Sequence, residues 1–432
     1  MIVGFPRARQ SDQAVRLTAL DRVVGWMAEQ GADESHMHIG AIMRVDGPPP
    51  SLASLRDHVA GRIQHAPVLE YRLGHRRRWW EPVSGLGVDV AAHVEEMPLR
   101  PSADALAAAA AVMRRPLPPD RPLWALTLVH GYASDQYLLC YRTHHMFQDG
   151  MSVTATLETL FGNRRLARPG SRPIPRKAPG PAKAKPKHQP FDLGLPLRRC
   201  ARWSPIRGPL TRHRTLRTFE LDSRTLEAVA HSTGASVNQV CLAALTGALR
   251  AWTPRDWSRT APANDRRGLA VAMPVNLRSP DRDGALGNHV AVLPVVLACE
   301  QESPQRQLES IVAQTQARRI LRHRARGRAL ERFMSYPVAR VLFTRFTDPC
   351  YLAMVVTTVR VAPGLTVLGS PVRDFLPCPP LAPGQHIVIA LTQYGPKVTA
   401  SLLADNVVPE LDRLEACWHQ ALAGLQRLTP TK

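Results

Sequence analysis

Cysteine, lysine, acidic side chains and long apolar runs are all scarce in this 432-residue chain. The seven cysteines (Cys140, Cys200, Cys241, Cys299, Cys350, Cys378 and Cys417) are scattered, odd in number and never spaced as CxxC. That spacing argues against a zinc ribbon, a dithiol redox motif or a disulfide framework, and fits a reducing compartment. Apolar stretches such as Val290–Cys299 fall well short of the ~20 residues needed to cross a bilayer. The opening residues lack the apolar core of a secretory signal. The expected location is cytoplasmic, with peripheral contact at the inner face of the membrane as the membrane-linked option. Only six residues are lysine, so arginine carries the excess of Lys+Arg 56 over Asp+Glu 35, a net charge of +21. A GC-rich coding bias explains arginine in place of lysine, but not the shortage of acids. The charge favours anionic partners: nucleic acid, acidic lipid headgroups or a phosphate-bearing small molecule.

What is present is ordinary globular material, 44% hydrophobic and 21% charged, in a length that suits two domains. One segment stands apart. Asn163–Pro190 carries nine Lys/Arg, no acid and many prolines, and cannot bury a core. The expected organisation is an N-terminal domain over 1–162, a basic Pro-rich linker over 163–214 and a C-terminal domain over 215–432. Periodicity predicts helices over Leu20–Glu29, Leu52–Gln64, Ala105–Arg115, Asp149–Phe161, Val237–Trp252, Pro304–Ile320 and Glu410–Leu425. It predicts strands over His38–Val45, Trp124–His130, Gln136–Thr143, Leu269–Val275, Val290–Leu297, Ile387–Gln393 and Val398–Leu403. Both halves read as α/β.

The stretch Tyr141–Ser152 contains His144-His145-Met146-Phe147-Gln148-Asp149-Gly150, the pattern HHxxxDG, between an apolar strand and a helix. A histidine of near-neutral pKa can take the proton of a hydroxyl or amine as that group attacks a carbonyl. His145, at the end of the strand, is the candidate for that base. Asp149, four residues on, is poorly placed as a relay partner and is expected to pair with an arginine elsewhere and fix the loop. Gly150 is expected to allow close backbone approach or positive φ. No GxSxG-type nucleophile motif is present, which argues for direct transfer without an acyl-enzyme. Adjacent histidines suit a single metal ion poorly, because neighbouring strand residues point to opposite faces, and no metal is expected.

These residues resemble the acyl-CoA-dependent acyltransferase superfamily, and within it the bacterial wax ester synthase/diacylglycerol acyltransferase family. The resemblance extends to Leu17–Trp26, Ser35–Pro48, Arg121-Pro122-Leu123-Trp124, Ser236–Gln239, Pro274–Arg278 with Leu286-Gly287-Asn288, and Leu403–Leu411. It implies an α/β fold of two chloramphenicol acetyltransferase-like sandwich domains with mixed sheets and an interdomain tunnel. It implies transfer of an acyl group from an acyl-CoA thioester to a hydroxyl acceptor. His145 would be the base, His144 its structural neighbour and Asp149 the loop anchor. Pro122, Leu123, Trp124, Asn238 and Thr358 would bind substrate. No cofactor would be tightly bound, with the coenzyme A thioester as co-substrate.

The chain departs from the family pattern at two places. Asn238-Gln239 replaces Asn-Asp, and Thr357–Arg360 lacks the Asn-Val-Pro-Gly-Pro loop. Both changes bear on substrate choice rather than on proton transfer. A carrier-protein-bound donor in a condensation-type O- or N-acyltransferase, in lipid or secondary metabolism, is therefore the main alternative. A non-catalytic basic binding protein on the same fold is the other. Arg318–Arg332 carries seven arginines in a largely helix-compatible run, with Gly327 as its weak point, and suits coenzyme A phosphates, an acyl carrier protein or anionic lipid. No nucleic-acid-binding signature accompanies the charge.

Overall fold

The computed structural model describes residues 14–31, 34–83, 87–167, 202–211, 213–258, 260, 267–279 and 284–428. Most of the expected linker, 168–201, lies outside the described residues. Two six-stranded sheets dominate. The first runs in the order Thr366–Val367, Ser370–Cys378, His38–Asp46, Gln136–His144, Trp124–His130, Val94–Pro98. It is antiparallel except for Val94–Pro98, which lies parallel to Trp124–His130. The second runs Val290–Leu297, Leu269–Asn276, Val355–Val361, Ile387–Tyr394, Lys397–Asp405, Arg214–Leu221. Its strand Val355–Val361 is parallel to both neighbours, so both sheets are mixed.

Alternation along the strands sorts the first sheet's side chains onto two faces. Ala41, Met43, Val45, Leu139 and Tyr141 join the main core with the helices Ala19–Gln30, Leu52–Ile63 and Gly150–Phe161. Ile42, Leu138 and Cys140 pack on the other face with Ala109 and Val112 of the helix Ala105–Val112. The second sheet buries one face against the helices Val237–Trp252 and Leu411–Gln426.

The strand Ser370–Cys378 crosses over from the C-terminal half and pairs antiparallel with His38–Asp46. Residues 366–378 therefore belong structurally to the first sheet, which corrects the expected clean division at the linker. Phe375 and Val372 complete the first core, while Pro371, Asp374 and Pro377 break the apolar alternation by which a strand is recognised.

The expected helix Pro304–Ile320 ends at Gln314. The Thr315 hydroxyl donates back to the Ile311 carbonyl at 2.6 Å, and a second helix, Ala317–Phe333, begins beyond it. That helix runs through Gly327, which looked like a weak point. A Cβ there would stand 2.8 Å from Leu277 Cδ2 and 3.0 Å from Ala291 Cβ, so glycine lets the helix lie directly on the second sheet. A further helix, Tyr336–Thr347, follows.

Candidate active site

The strand Gln136–His144 is buried along nearly its whole length and delivers the two histidines at its end. The Leu123 carbonyl accepts from the His144 N–H at 3.1 Å and from the Thr143 hydroxyl at 2.7 Å, which fixes where the strand stops. His145 N–H donates to the Met37 carbonyl at 2.8 Å. Within the loop, buried Gln148 accepts from the Tyr141 hydroxyl at 2.6 Å. It donates to Ser152 at 3.2 Å and to Thr156 at 2.8 Å. The helix Gly150–Phe161 then opens with Asp149 as its N-cap, the carboxylate accepting from Ser152 N–H at 3.0 Å.

The two histidines have different environments. His144 Nδ1 accepts from the Met146 N–H at 3.0 Å, and its ring meets His38 edge-on at 6.1 Å. Burial, then the neighbouring His38 and His145, pull its pKa down to about 3, so it stays neutral. His145 lines a cavity, and its Nδ1 is buried without a hydrogen-bond partner among the described residues. Burial pulls its pKa below the usual 6.5, with the Asp149 carboxylate opposing. A neutral imidazole on a cavity wall has the protonation state that a general base requires.

Asp149 is fully engaged. Beyond its cap bond, its other oxygen accepts from Arg278 Nη1, and from His289 N–H at 3.1 Å. The Asp149–Arg278 ion pair is almost wholly buried. Burial raises the Asp149 pKa, but Arg278 and the N–H donors outweigh it and hold the carboxyl below its usual range. Arg278 also donates to the Gly287 carbonyl at 2.7 Å. Asn288 Nδ2 donates to the His145 carbonyl at 2.7 Å and to the buried carboxylate of Asp21 at 3.1 Å. Gly287 sits at φ +77°, and a Cβ there would stand 2.4 Å from an Asp21 oxygen. The loop Leu286-Gly287-Asn288 is thus a brace for the histidine loop. In the sequence these residues stand only as part of the family pattern, with nothing that places them at the site. Their sequence signal is a glycine beside an asparagine, and both residues are needed for contacts 140 or more positions away in the chain.

The cavity holding His145 and Gly150 encloses about 1170 Å³ including its open mouth. Its walls come from both sheets: Ile39 and Phe375 from the first, Ala272, Thr357 and Val388 from the second. The lining is mostly apolar. Gly150 has no positive φ, contrary to expectation, and a Cβ would meet only Val359 at 3.9 Å. The missing side chain leaves cavity space open instead.

Other expected substrate contacts lie elsewhere. Trp124 is buried, stacks on His93 at 4.3 Å and donates its indole N–H to the Leu69 carbonyl at 3.1 Å. Pro122 and Leu123 are also off the cavity wall, and Leu123 acts through its carbonyl as above. Thr358 donates to Asn238 Oδ1 at 2.7 Å on the opposite face of its strand. The strand's two-residue period puts Val355, Thr357 and Val359 on the cavity instead. Gln239, where the family pattern has a carboxylate, closes a capping box with Ser236.

Two mixed sheets, the first completed by a strand from the C-terminal half, with His145, Asp149 and Gly150 on the wall of the cavity between them, make a chloramphenicol acetyltransferase-like fold. Solved structures share it along nearly their whole length. The wax ester synthase/diacylglycerol acyltransferase of Marinobacter aquaeolei VT8 matches with a TM-score of 0.60 at 18% identity, covering 96% of this chain and 99% of that one. The first condensation domain of the CDA synthetase matches with a TM-score of 0.62 at 18% identity, covering 97% of each. The chain belongs to the wax ester synthase/diacylglycerol acyltransferase family: the family's catalytic-domain model matches residues 17–199 and its C-terminal-domain model residues 286–426. "Probable diacylglycerol O-acyltransferase tgs1" of Mycobacterium tuberculosis H37Rv is 24% identical, covering 95% of each chain. The protein is an acyltransferase, of the class that transfers groups other than aminoacyl groups.

Proposed function

We propose that this enzyme moves a hydrocarbon-bearing acyl group from a coenzyme A thioester to a hydroxyl, with His145 as general base and no acyl-enzyme. One contrast carries the reading. His145 is the titratable ring on the cavity wall with an unpartnered nitrogen, whereas every oxygen of Asp149 is committed to structure. The acceptor hydroxyl gives its proton to His145 as its oxygen attacks the thioester carbonyl. The tetrahedral oxyanion forms beside the positive end of the helix Gly150–Phe161, which favours developing negative charge. Collapse breaks the carbon–sulfur bond, and the imidazolium returns its proton to the leaving thiolate. The products are an ester and free coenzyme A.

Apolar walls favour hydrocarbon chains on both reactants. The test is free-thiol release from a series of acyl-CoAs with alcohols and amines, comparing wild type with His145→Ala. Acceptor-dependent release by wild type, lost in the variant, is expected. Full activity in His145→Ala would end the mechanism. Turnover only with acyl carrier protein thioesters would move the donor to the alternative class.

A further inference from the structure

The catalytic cavity is apolar along most of its wall, and most of the polar side chains that reach it are accounted for. Asp149 is held by Arg278 and the Ser152 N–H. The Thr154 hydroxyl donates to the Gly150 carbonyl at 2.9 Å, and the Thr347 hydroxyl to the Phe343 carbonyl at 3.0 Å. His145 is the proposed base, and Thr357 is only half-buried on its strand. Gln385 is different. It lines the cavity at 2% exposure, and its Nε2 is buried with no hydrogen-bond partner among the described residues. A buried amide donor left unbonded is costly. In the wall of a ligand-sized cavity it points to a ligand atom that completes it.

The place of this amide is firmly set. Ala382-Pro383-Gly384-Gln385 fits a type II turn: proline stands second, Gly384 stands third at φ +89°, and the Gln385 N–H closes onto the Ala382 carbonyl at 3.0 Å. The next residue is tied on both sides. The His386 ring bonds the Gly208 carbonyl at 2.8 Å, and the His386 carbonyl accepts from the Asp405 N–H at 2.8 Å.

Strand register separates Gln385 from the reacting atoms. Gly150 stands towards the end of the strand Val355–Val361, where a Cβ on it would meet Val359 at 3.9 Å. The His145 backbone belongs to that level. Asn288, which holds its carbonyl, lies two residues before Val290, whose partner Asn276 is four residues beyond Ala272, the partner of Val355. Gln385 stands three residues ahead of Val388, which pairs with Val355 at the start of the strand. The two levels are four strand residues apart, ~13 Å along the strand. Base and amide therefore enter the cavity from opposite ends of this strand.

We propose that Gln385 recognises a second, non-reacting oxygen on the substrate, so that the preferred chain carries an ether, keto or hydroxyl oxygen well along its length from the reacting end. This names the substrate class of the acyl-transfer site and rests on that reading. A plain hydrocarbon would fill the apolar wall and leave the Nε2 donor unbonded. An oxygen in a wholly apolar cavity would lose its water and gain no donor, so such a cavity would reject it. The sign of the preference separates the two cases.

The experiment is an ether scan in the free-thiol assay. Primary alcohols of one chain length, with an ether oxygen replacing one methylene at successive positions, are compared with the plain alcohol. Acyl-CoAs are scanned separately in the same way. Wild type is expected to favour one remotely placed ether, in one of the two series, by about tenfold in kcat/KM over the plain chain. Gln385→Leu is expected to reverse that preference, and Gln385→Met, closer in shape, should do the same. Free of ligand, both variants should melt no lower than wild type, because a buried unbonded donor has been removed.

A wild type that prefers the plain chain at every position in both series would overturn the proposal while leaving acyl transfer intact. An optimum beside the reacting end would place the amide at the reacting atoms and overturn it as well. Equal falls in kcat/KM for plain and ether chains in both variants would assign the amide to the pantetheine arm of coenzyme A instead. A lowered ligand-free melting temperature in both variants would mean that the amide is bonded within the fold. The same scan read as the thermal shift of His145→Ala keeps recognition apart from turnover. The same ether optimum there, with no thiol release from wild type, would fault the acyl-transfer reading alone.

Discussion

His145 and His144 are adjacent, yet their surroundings divide the work between them. His145→Ala is expected to lower kcat/KM by about 10²–10⁴-fold with little change in melting, as for loss of a general base. Its pKa lies below 6.5, so it is already neutral at neutral pH. The acid limb of kcat/KM should therefore have its midpoint below 6.5, and a limb centred above that value would count against His145. His144 acts on stability. The unfolded chain takes up a proton at 6.5, whereas the folded chain resists until about 3, so stability falls as pH drops through that window. Asp149 works in a lower range. Its folded carboxyl is held below the ordinary 3.8, and its contribution is complete above that pH and lost as pH falls through the folded value. Arg278→Leu would strand the Asp149 carboxylate in a buried site. It is expected to cost about 3–5 kcal/mol, read as a lower denaturant midpoint, which separates an anchor from a reacting group.

At the scale of elements, the regular parts were legible in the sequence. The strand Trp124–His130 and the helix Val237–Trp252 occupy the residues their periodicity predicts, because each has a clear apolar face. The strand Ser370–Cys378 has no strand pattern in the sequence, and Arg318–Arg332, a largely helix-compatible run, has no periodicity that sets the bounds of the helix Ala317–Phe333. The first is broken by prolines and an acid, and the second buries no residue fully and so shows no apolar face. The histidine motif could be read because its residues are contiguous. Its brace could not, because Arg278, Gly287 and Asn288 meet it only in three dimensions. Gly287→Ala is expected to cost about 1–3 kcal/mol for the left-handed backbone alone. Activity should fall further as Asn288 loses its hold on the His145 backbone; wild-type turnover in this variant would show that the brace is dispensable. Strand parity gives a paired test. Thr357→Leu should shift chain-length preference in the thiol assay and Thr358→Val should not, since only Thr357 faces the cavity.

At the scale of the whole molecule, resemblance implied the fold class, but nothing in the pattern of residues showed that one half completes the other. The first core contains Val359, Leu365, Phe375 and Tyr394 from beyond residue 350. A fragment of residues 14–167 would leave the edge of His38–Asp46 unpaired and part of that core open, so it is expected to aggregate. A sharp, concentration-independent melt of that fragment would contradict this. The donated strand also constrains inheritance. A chimaera of two relatives joined at the linker would pair a first sheet from one parent with a strand from the other, and the mismatch would fall on a cavity wall. Successful exchanges between family members should therefore carry residues 366–378 along with the N-terminal half, so that two cuts in the chain travel as a single unit of recombination.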